Sequence, residues 1–235
     1  MSAPRSVSFS LLFFKTLSGL GVGVVGMLVL IIFVLLALGT TSNGAIDGPF
    51  LVFAAILMGF ITALITNCLG VFFFGMLDQA KYANVREVVR HIVLLNTMIF
   101  LFLLPVYFFV IIGTGGKLTV IFMIAVLQLF VSAQASLLTL ELSTTKNTRE
   151  NMLAVYGIIF SLLAAVIANL WLYKIGQDFS SPTELASGGS GGKGATVVLF
   201  SILPLIWLFF GIFSSAVEMI YRWIYETWGT DFLSR

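Results

Sequence analysis

The chain has 235 residues, of which 60% are hydrophobic and only 9% are charged. A water-soluble domain carries about 25% charged residues, so this composition excludes a soluble surface and indicates a protein of the lipid bilayer. The net charge of +2 is too small to favour nucleic acid as a partner, and a chain whose only cysteine is Cys68 cannot form an intramolecular disulfide.

Six apolar segments are long enough for helices that cross a hydrocarbon core, which takes about 20 residues. Their predicted bounds are 17–38, 50–77, 92–113, 118–142, 153–173 and 196–217. The sequence therefore predicts an all-α integral membrane protein, a bundle of six transmembrane helices, preceded by a cytoplasmic segment at 1–16. The first apolar run exceeds the roughly 7–15 residues of a cleaved signal, so we expect it to be a retained anchor.

The first two spans carry small residues at helical spacing. Gly19 and Gly23 form a GxxxG pair in the first span, and Gly59, Thr66 and Gly70 recur along one face of the second. Small residues in this pattern allow two helix backbones to approach closely. We expect these five residues to pack against neighbouring helices.

The connector at 78–91, DQAKYANVREVVRH, has the pattern of an amphipathic helix at the cytoplasmic interface. Its apolar side would hold Tyr82 and three valines. Asp78 lies in this connector, and Glu141 and Glu218 lie at the cytoplasmic ends of the fourth and sixth spans. We expect Glu141 and Glu218 to reach water, lipid headgroups or a nearby arginine.

Two prolines interrupt apolar spans, Pro105 in the third and Pro204 in the sixth. Proline removes a backbone hydrogen bond inside a helix and favours a kink. We therefore expect helix kinks at both positions.

Uncharged polar residues inside the spans have two interpretations. The set comprises Asn67, Gln128, Ser132, Ser136 and Asn169. These side chains either hydrogen bond between helices or line a polar pathway for a solute. A pathway would lie beside the fourth span, and Gln128→Leu would then abolish transport.

The loop at 174–195 contains SGGSGGKGA, which superficially resembles a phosphate-binding loop. The P-loop pattern G-x-x-x-x-G-K-[ST] requires glycine where Ser187 stands and a hydroxyl residue where Gly194 stands. The segment therefore predicts a flexible glycine–serine linker on the outer face and no nucleotide site.

The C-terminal segment at 218–235 is amphipathic and rich in aromatic residues. Tyr221, Trp223 and Trp228 have the character of a belt at the membrane interface. Glu218, Arg222 and Glu226 are spaced for ion pairs one helical turn apart. We expect the last helix to continue past the membrane and to stop at Gly229.

Lysine and arginine predict the orientation, because cytoplasmic loops carry an excess of both. With the N-terminus inside, three of the 12 basic residues lie outside, namely Lys117, Lys174 and Lys193. The others lie on the cytoplasmic side: Arg5, Lys15, Lys81, Arg86, Arg90, Lys146, Arg149, Arg222 and Arg235. The sequence thus predicts that both termini are cytoplasmic, and we expect the plasma membrane as the location.

The predicted spans lack the residues that bind cofactors or carry out catalysis. His91 is the only histidine, so haem held by two histidines is excluded, and no span carries clustered metal ligands or a nucleophile with a base. We therefore expect no cofactor, no metal and no enzymatic activity. A lipid-active enzyme that uses Glu141, His91 or Glu218 at the cytoplasmic edge is the remaining catalytic alternative.

Two functions remain for such a chain. The first is a non-catalytic subunit that scaffolds or assembles with a larger membrane complex. The second is a channel or carrier for a neutral or lipophilic small solute. The expected partners are membrane lipids and either other membrane subunits or further copies of the chain.

Overall fold

The computed structural model describes residues 6–42, 48–82, 84–114, 118–143, 166–167, 170 and 190–228. Five long helices lie within these ranges, and no strand does. They are α1 (Phe9–Ser42), α2 (Gly48–Leu77), α3 (Val85–Thr114), α4 (Leu118–Leu142) and α5 (Ser190–Trp228). All five are long and apolar enough to cross a membrane. The predicted span at 153–173 lies outside the described residues except for 166, 167 and 170.

Several helix bounds differ from the predicted spans. Helix α4 has the predicted bounds, whereas α1 begins at Phe9 and α3 at Val85, before the predicted 17 and 92. Lys15 lies inside α1 because its charge is paired with Asp78, whereas Arg86 and Arg90 lie in the first turns of α3 with their side chains exposed. Helix α5 begins at Ser190, inside the predicted linker, and ends at Trp228, immediately before Gly229.

The predicted interfacial helix at 78–91 is wrong over its first part. Residues 78–81 form a single turn, in which the carbonyl of Asp78 accepts hydrogen bonds from the backbone N–H groups of Lys81 and Tyr82. Asn84 then has a φ of 55°, a left-handed conformation that asparagine tolerates better than most residues. The chain therefore turns sharply between α2 and α3, and Asp78, Lys81 and Tyr82 are directed into the protein.

Helices α1 and α5 pack antiparallel along their length. A Cβ on Gly19 would overlap the backbone of Trp207, and one on Gly23 would overlap Pro204. Gly211 of α5 is equally close to the backbone of Lys15. As the residue number rises in α1 it falls in α5, so the two helices run in opposite directions at a distance that only glycine permits.

Helix α2 lies at the centre of the described bundle, in contact with α1, α3 and α4. A Cβ on Gly70 would overlap the six-membered ring of Trp207, which is fully buried. On the other side of α2, Phe60 stacks on Phe100 of α3 with ring centroids 4.3 Å apart. Helix α3 packs on α4, and α4 contacts α5 less extensively.

Candidate functional site: buried charges and amides between the helices

Six ionisable side chains meet at the end of the bundle where α2 turns into α3. Lys15 comes from α1, Glu141 from the last turn of α4, and Glu218 from α5. Asp78, Lys81 and Tyr82 belong to the turn itself. All six are buried, with at most 7% of each side chain exposed. We call this group the charge cluster.

The first ion pair of the charge cluster joins α1 to the end of α2. The ammonium of Lys15 donates to Oδ2 of Asp78 at 3.0 Å, and both side chains are 1% exposed. Removing water from two such charges costs several kcal/mol each, and their attraction offsets this only in good geometry. The pair therefore ties Lys15, in the second turn of α1, firmly to the turn after α2.

Lys81 connects two helices that are otherwise loosely joined. Its ammonium lies 2.6 Å from Oε2 of Glu141 on α4 and also contacts the carboxylate of Glu218 on α5. The hydroxyl of Tyr82 donates to the same Glu141 carboxylate. Both ammoniums also lie over the Tyr82 ring, that of Lys15 at 5.3 Å and that of Lys81 at 5.2 Å from its centroid.

The turn residues Lys81 and Tyr82 have raised pKa values. Burial alone would lower the pKa of Lys81, but the carboxylates of Glu141 and Glu218 outweigh it and raise the pKa above the ordinary 10.5. Burial, and then the charges of Glu141 and Glu218, raise the pKa of Tyr82 well above 10.0. At neutral pH Lys81 is therefore a cation and Tyr82 a neutral hydrogen-bond donor.

The expectation that Glu141 and Glu218 reach water, headgroups or a nearby arginine is wrong. Their exposed fractions are 5% and 6%, and both contact Lys81. Asp78, in the turn, is 3% exposed and pairs with Lys15. Sequence reasoning missed Lys15 and Lys81 as those partners because Lys15 and Asp78 are 63 positions apart. The low charge content could have indicated this pairing. In a chain with so few charged residues, the five that lie at one end of an apolar bundle are expected to form ion pairs with one another.

Three polar side chains join α2, α3 and α4 further into the bundle. Nδ2 of Asn67 donates to Oδ1 of Asn96 at 2.7 Å, and Nδ2 of Asn96 donates to Oγ of Ser136 at 2.9 Å. Nδ2 of Asn96 also donates to the carbonyl of Ile92. All three are buried, and we call them the amide network. Asn67 and Ser136 were predicted, whereas Asn96, a lone amide in an apolar helix, was missed.

The other predicted polar residues of α4 also have partners. The hydroxyl of Tyr107 on α3 donates to Oε1 of Gln128 at 2.8 Å. Ser132 donates to the carbonyl of Leu129, and Ser136 donates to that of Ser132. These contacts are of the interhelical and intrahelical kinds that stabilise a bundle. Asn169, the fifth predicted residue, lies outside the described residues.

The residues predicted to pack helices differ in their surroundings. Gly19, Gly23 and Gly70 are in tight contacts, and Thr66 is fully buried with its hydroxyl donating to the carbonyl of Thr62 at 2.8 Å. A Cβ on Gly59 would meet no described atom within 4 Å. The predicted close contact at Gly59 is therefore not found among the described residues.

The predicted kink and interface residues all lie inside helices. Pro105 is in α3 and Pro204 is in α5, where it contacts Gly23. Trp223 and Trp228 are 63% and 67% exposed, as an interfacial position requires, whereas Tyr221 is buried at 8%. Tyr221 therefore faces the bundle rather than the interface.

The residues of the catalytic alternative are not assembled into one site. Glu141 and Glu218 contact Lys81 inside the charge cluster, whereas His91 is exposed on α3. No group of three or more metal-ligating side chains occurs within the described ranges. The observed arrangement neutralises charges and joins helices.

Comparison of the chain with protein-family models, curated proteins and solved structures found no match.

Proposed function

We propose that this chain is a non-catalytic membrane subunit that assembles with other membrane proteins. One observation carries the proposal: the polar atoms of the charge cluster and the amide network bind to other helices of the same chain. Side chains used in this way hold a bundle in one arrangement. They make the bundle a rigid body that presents its outer surface to partners.

The outer surface of α3 supports the proposal by its composition. Large apolar side chains lie along one helical face of α3, and each is more than half exposed. They are Leu94, Met98, Leu101, Phe102, Phe109 and Ile112. Such a face packs either against lipid or against the helix of another subunit. In this proposal it holds the partner.

The proposal includes six spans with both termini on the cytoplasmic side of the plasma membrane. An even number of spans places both termini on one side. The antiparallel packing of α1 and α5 supports termini on one side of the membrane, because it brings the start of α1 and the end of α5 to the same end of the bundle.

Site-specific photo-crosslinking tests the subunit proposal. A photoreactive amino acid replaces Phe102 on α3 or, as the control, Leu35 on α1, which is also more than half exposed. We expect a protein adduct from position 102, with the same partner recovered in stoichiometric amount by mass spectrometry of the intact assembly. A monodisperse single chain without an adduct at 102 would rule out the subunit function.

A second candidate function is a carrier for a neutral or lipophilic small solute. It is favoured by two fully buried polar atoms on α5, Nε1 of Trp207 and Oγ of Ser215, which have no hydrogen-bond partner in the described structure. Buried polar atoms normally have partners, and a polar solute would provide one.

Flux of a neutral solute into liposomes that contain the purified chain tests the carrier. Ser215→Ala should reduce the flux, whereas Ser214→Ala should not, because Ser214 already donates to the carbonyl of Gly211. Liposomes with the chain that are no more permeable than empty ones would exclude the carrier.

A further inference from the structure

Trp207 and Ser215 share the face of α5 that packs against α1 and α2. Both side chains are 0% exposed, and neither Nε1 of Trp207 nor Oγ of Ser215 has a hydrogen-bond partner among the described residues. A buried polar atom without a hydrogen-bond partner has lost its contacts with water and gained none in exchange, which is unfavourable. Two such atoms on one helix face, both without a partner in the described part of the chain, mark a position where a ligand can bind.

Ser215 departs from the behaviour of the other buried hydroxyls. A serine or threonine in a membrane helix usually donates to the carbonyl four residues earlier. Thr62, Thr66 and Ser136 all do so, at 2.7–2.8 Å, and Ser132 and Ser214 donate to the carbonyl three residues earlier. Ser215 does neither, and it lies one helical turn before Glu218 of the charge cluster. Its hydroxyl is therefore available to a ligand.

The indole of Trp207 is held in a fixed orientation. Its ring meets Phe74 and Phe210 edge to face, with centroids 5.7 and 5.9 Å apart. The edge formed by Cε3, Cζ3 and Cη2 faces Gly70, so the N–H group lies at the opposite edge. An indole N–H only donates, so whatever binds there must present an acceptor.

We propose that this face of α5 binds a neutral amphipathic molecule through a hydroxyl or carbonyl oxygen that accepts from Trp207. Ser215 lies eight residues further along the helix, about 12 Å away along its axis, and contacts a second polar part of the molecule. The ligand is neutral because the surroundings are aromatic and aliphatic, and the nearby ammoniums of Lys15 and Lys81 already contact carboxylates. The inference rests on the carrier proposal and names its class of solute.

The indole signals of the four tryptophans provide a direct measurement of binding. The full chain is labelled with ¹⁵N-tryptophan in phospholipid nanodiscs, and the Trp207 signal is assigned with Trp207→Phe. Three probes are titrated: 1-octanol as a free alcohol, a monoacylglycerol as a lipid source of the same oxygen chemistry, and n-octane, which lacks an acceptor.

We expect 1-octanol or the monoacylglycerol to shift the Trp207 indole proton downfield in a saturable manner, while n-octane does not. The one that saturates the signal identifies the source of the ligand. Loss of one neutral hydrogen bond weakens binding about two- to ten-fold, so Ser215→Ala should raise the apparent Kd of the monoacylglycerol, which has a second polar group, by that factor. The Kd of 1-octanol, which has one oxygen for Trp207 and none for Ser215, should not change. Ser214→Ala should leave the Kd unchanged, and the signal of the exposed Trp223 should not saturate.

A Trp207 signal that neither oxygen-bearing probe moves, or that n-octane moves equally, would overturn the site. Equal effects of Ser214→Ala and Ser215→Ala would overturn the role of Ser215. The carrier is tested separately by flux. Saturable binding without flux excludes the carrier and leaves the site, whereas flux without a Trp207 shift excludes the site and leaves the carrier.

Discussion

The ion pair between Lys15 and Asp78 holds two opposite charges away from water between α1 and the end of α2. Lys15→Met would leave the Asp78 carboxylate buried without its lysine, which costs about 3–5 kcal/mol of the free energy of unfolding. Arg222 provides the control, because its ion pair with Glu226 on α5 is 36% and 57% exposed. Arg222→Met should cost at most about 1 kcal/mol.

Denaturation of the wild type, Lys15→Met and Arg222→Met in the same detergent measures these differences in the free energy of unfolding. The double variant Lys15→Met/Asp78→Leu should recover much of the loss, since an apolar pair of similar size avoids the desolvation of both charges. Equal destabilisation by Lys15→Met and Arg222→Met would contradict the burial of the pair.

The raised pKa values of Lys81 and Tyr82 predict the response of stability to alkaline pH. In the unfolded chain the lysine titrates near 10.5 and the tyrosine near 10.0, whereas in the folded chain both hold their protons to higher pH. Their contribution to stability is therefore complete below about pH 10 and is lost as the pH rises through the folded pKa values.

The Tm of the wild type should accordingly fall steeply above about pH 10. Tyr82→Phe removes one of the two titrations, so its Tm should fall less steeply over this range. Tyr225→Phe, at a half-buried tyrosine of α5 outside the charge cluster, should follow the wild type. Superimposable curves for Tyr82→Phe and the wild type would refute the proposed role of Tyr82.

Residue spacing explains why sequence reasoning identified some of these residues and missed others. Helical period places Gln128, Ser132 and Ser136 on one face of α4, and the structure shows this face buried. The period does not say which residue of another helix faces each of them. Asn96 and Tyr107, the partners of Ser136 and Gln128, therefore could not be predicted from the sequence.

At the scale of helices, the contact of α1 with α5 depends on Gly19. Its Cα lies so close to the backbone of Trp207 that an added methyl group would overlap the carbonyl. A backbone cannot move aside as a flexible side chain does, so Gly19→Ala should cost about 1–3 kcal/mol through overpacking. Gly21, on the same helix, has no atom within 4 Å of an added Cβ.

Gly21→Ala is the matched control and should stabilise the helix by about 0.5–1 kcal/mol, because alanine loses less entropy than glycine on folding. Unfolding followed by far-ultraviolet circular dichroism gives both values. Destabilisation by both variants to the same extent would mean that α1 and α5 are not in close contact at Gly19.

Helix bounds were predictable only where composition changes abruptly. Helix α4 lies between TGGK and STTKN, two short polar segments that no predicted span includes, and its bounds were predicted to the residue. The starts of α1 and α3 were placed too late because Lys15 and the basic residues near Arg86 were interpreted as span limits. A charge ends a span only if it needs water, and Lys15 has Asp78 instead.

At the scale of the whole molecule, orientation can be tested independently of the number of spans. The antiparallel contact of α1 and α5 places Ser8 and Trp228 at one end of the bundle, and α3 carries Gly113 to the other. Single cysteines at these positions, in a Cys68→Ser background, report which end is outside. An impermeant thiol reagent applied to intact cells should label Gly113→Cys and neither Ser8→Cys nor Trp228→Cys.

The pattern of labelling separates the fold from the orientation. Labelling of Ser8→Cys and Trp228→Cys without Gly113→Cys would agree with the bundle but would mean that its orientation in the membrane is the opposite of the one that lysine and arginine predict. Labelling of Ser8→Cys and Gly113→Cys together would contradict the bundle itself, since α1 begins at the end where α3 begins. Only the expected pattern agrees with both the antiparallel contact at Gly19 and the basic residues of the predicted cytoplasmic segments.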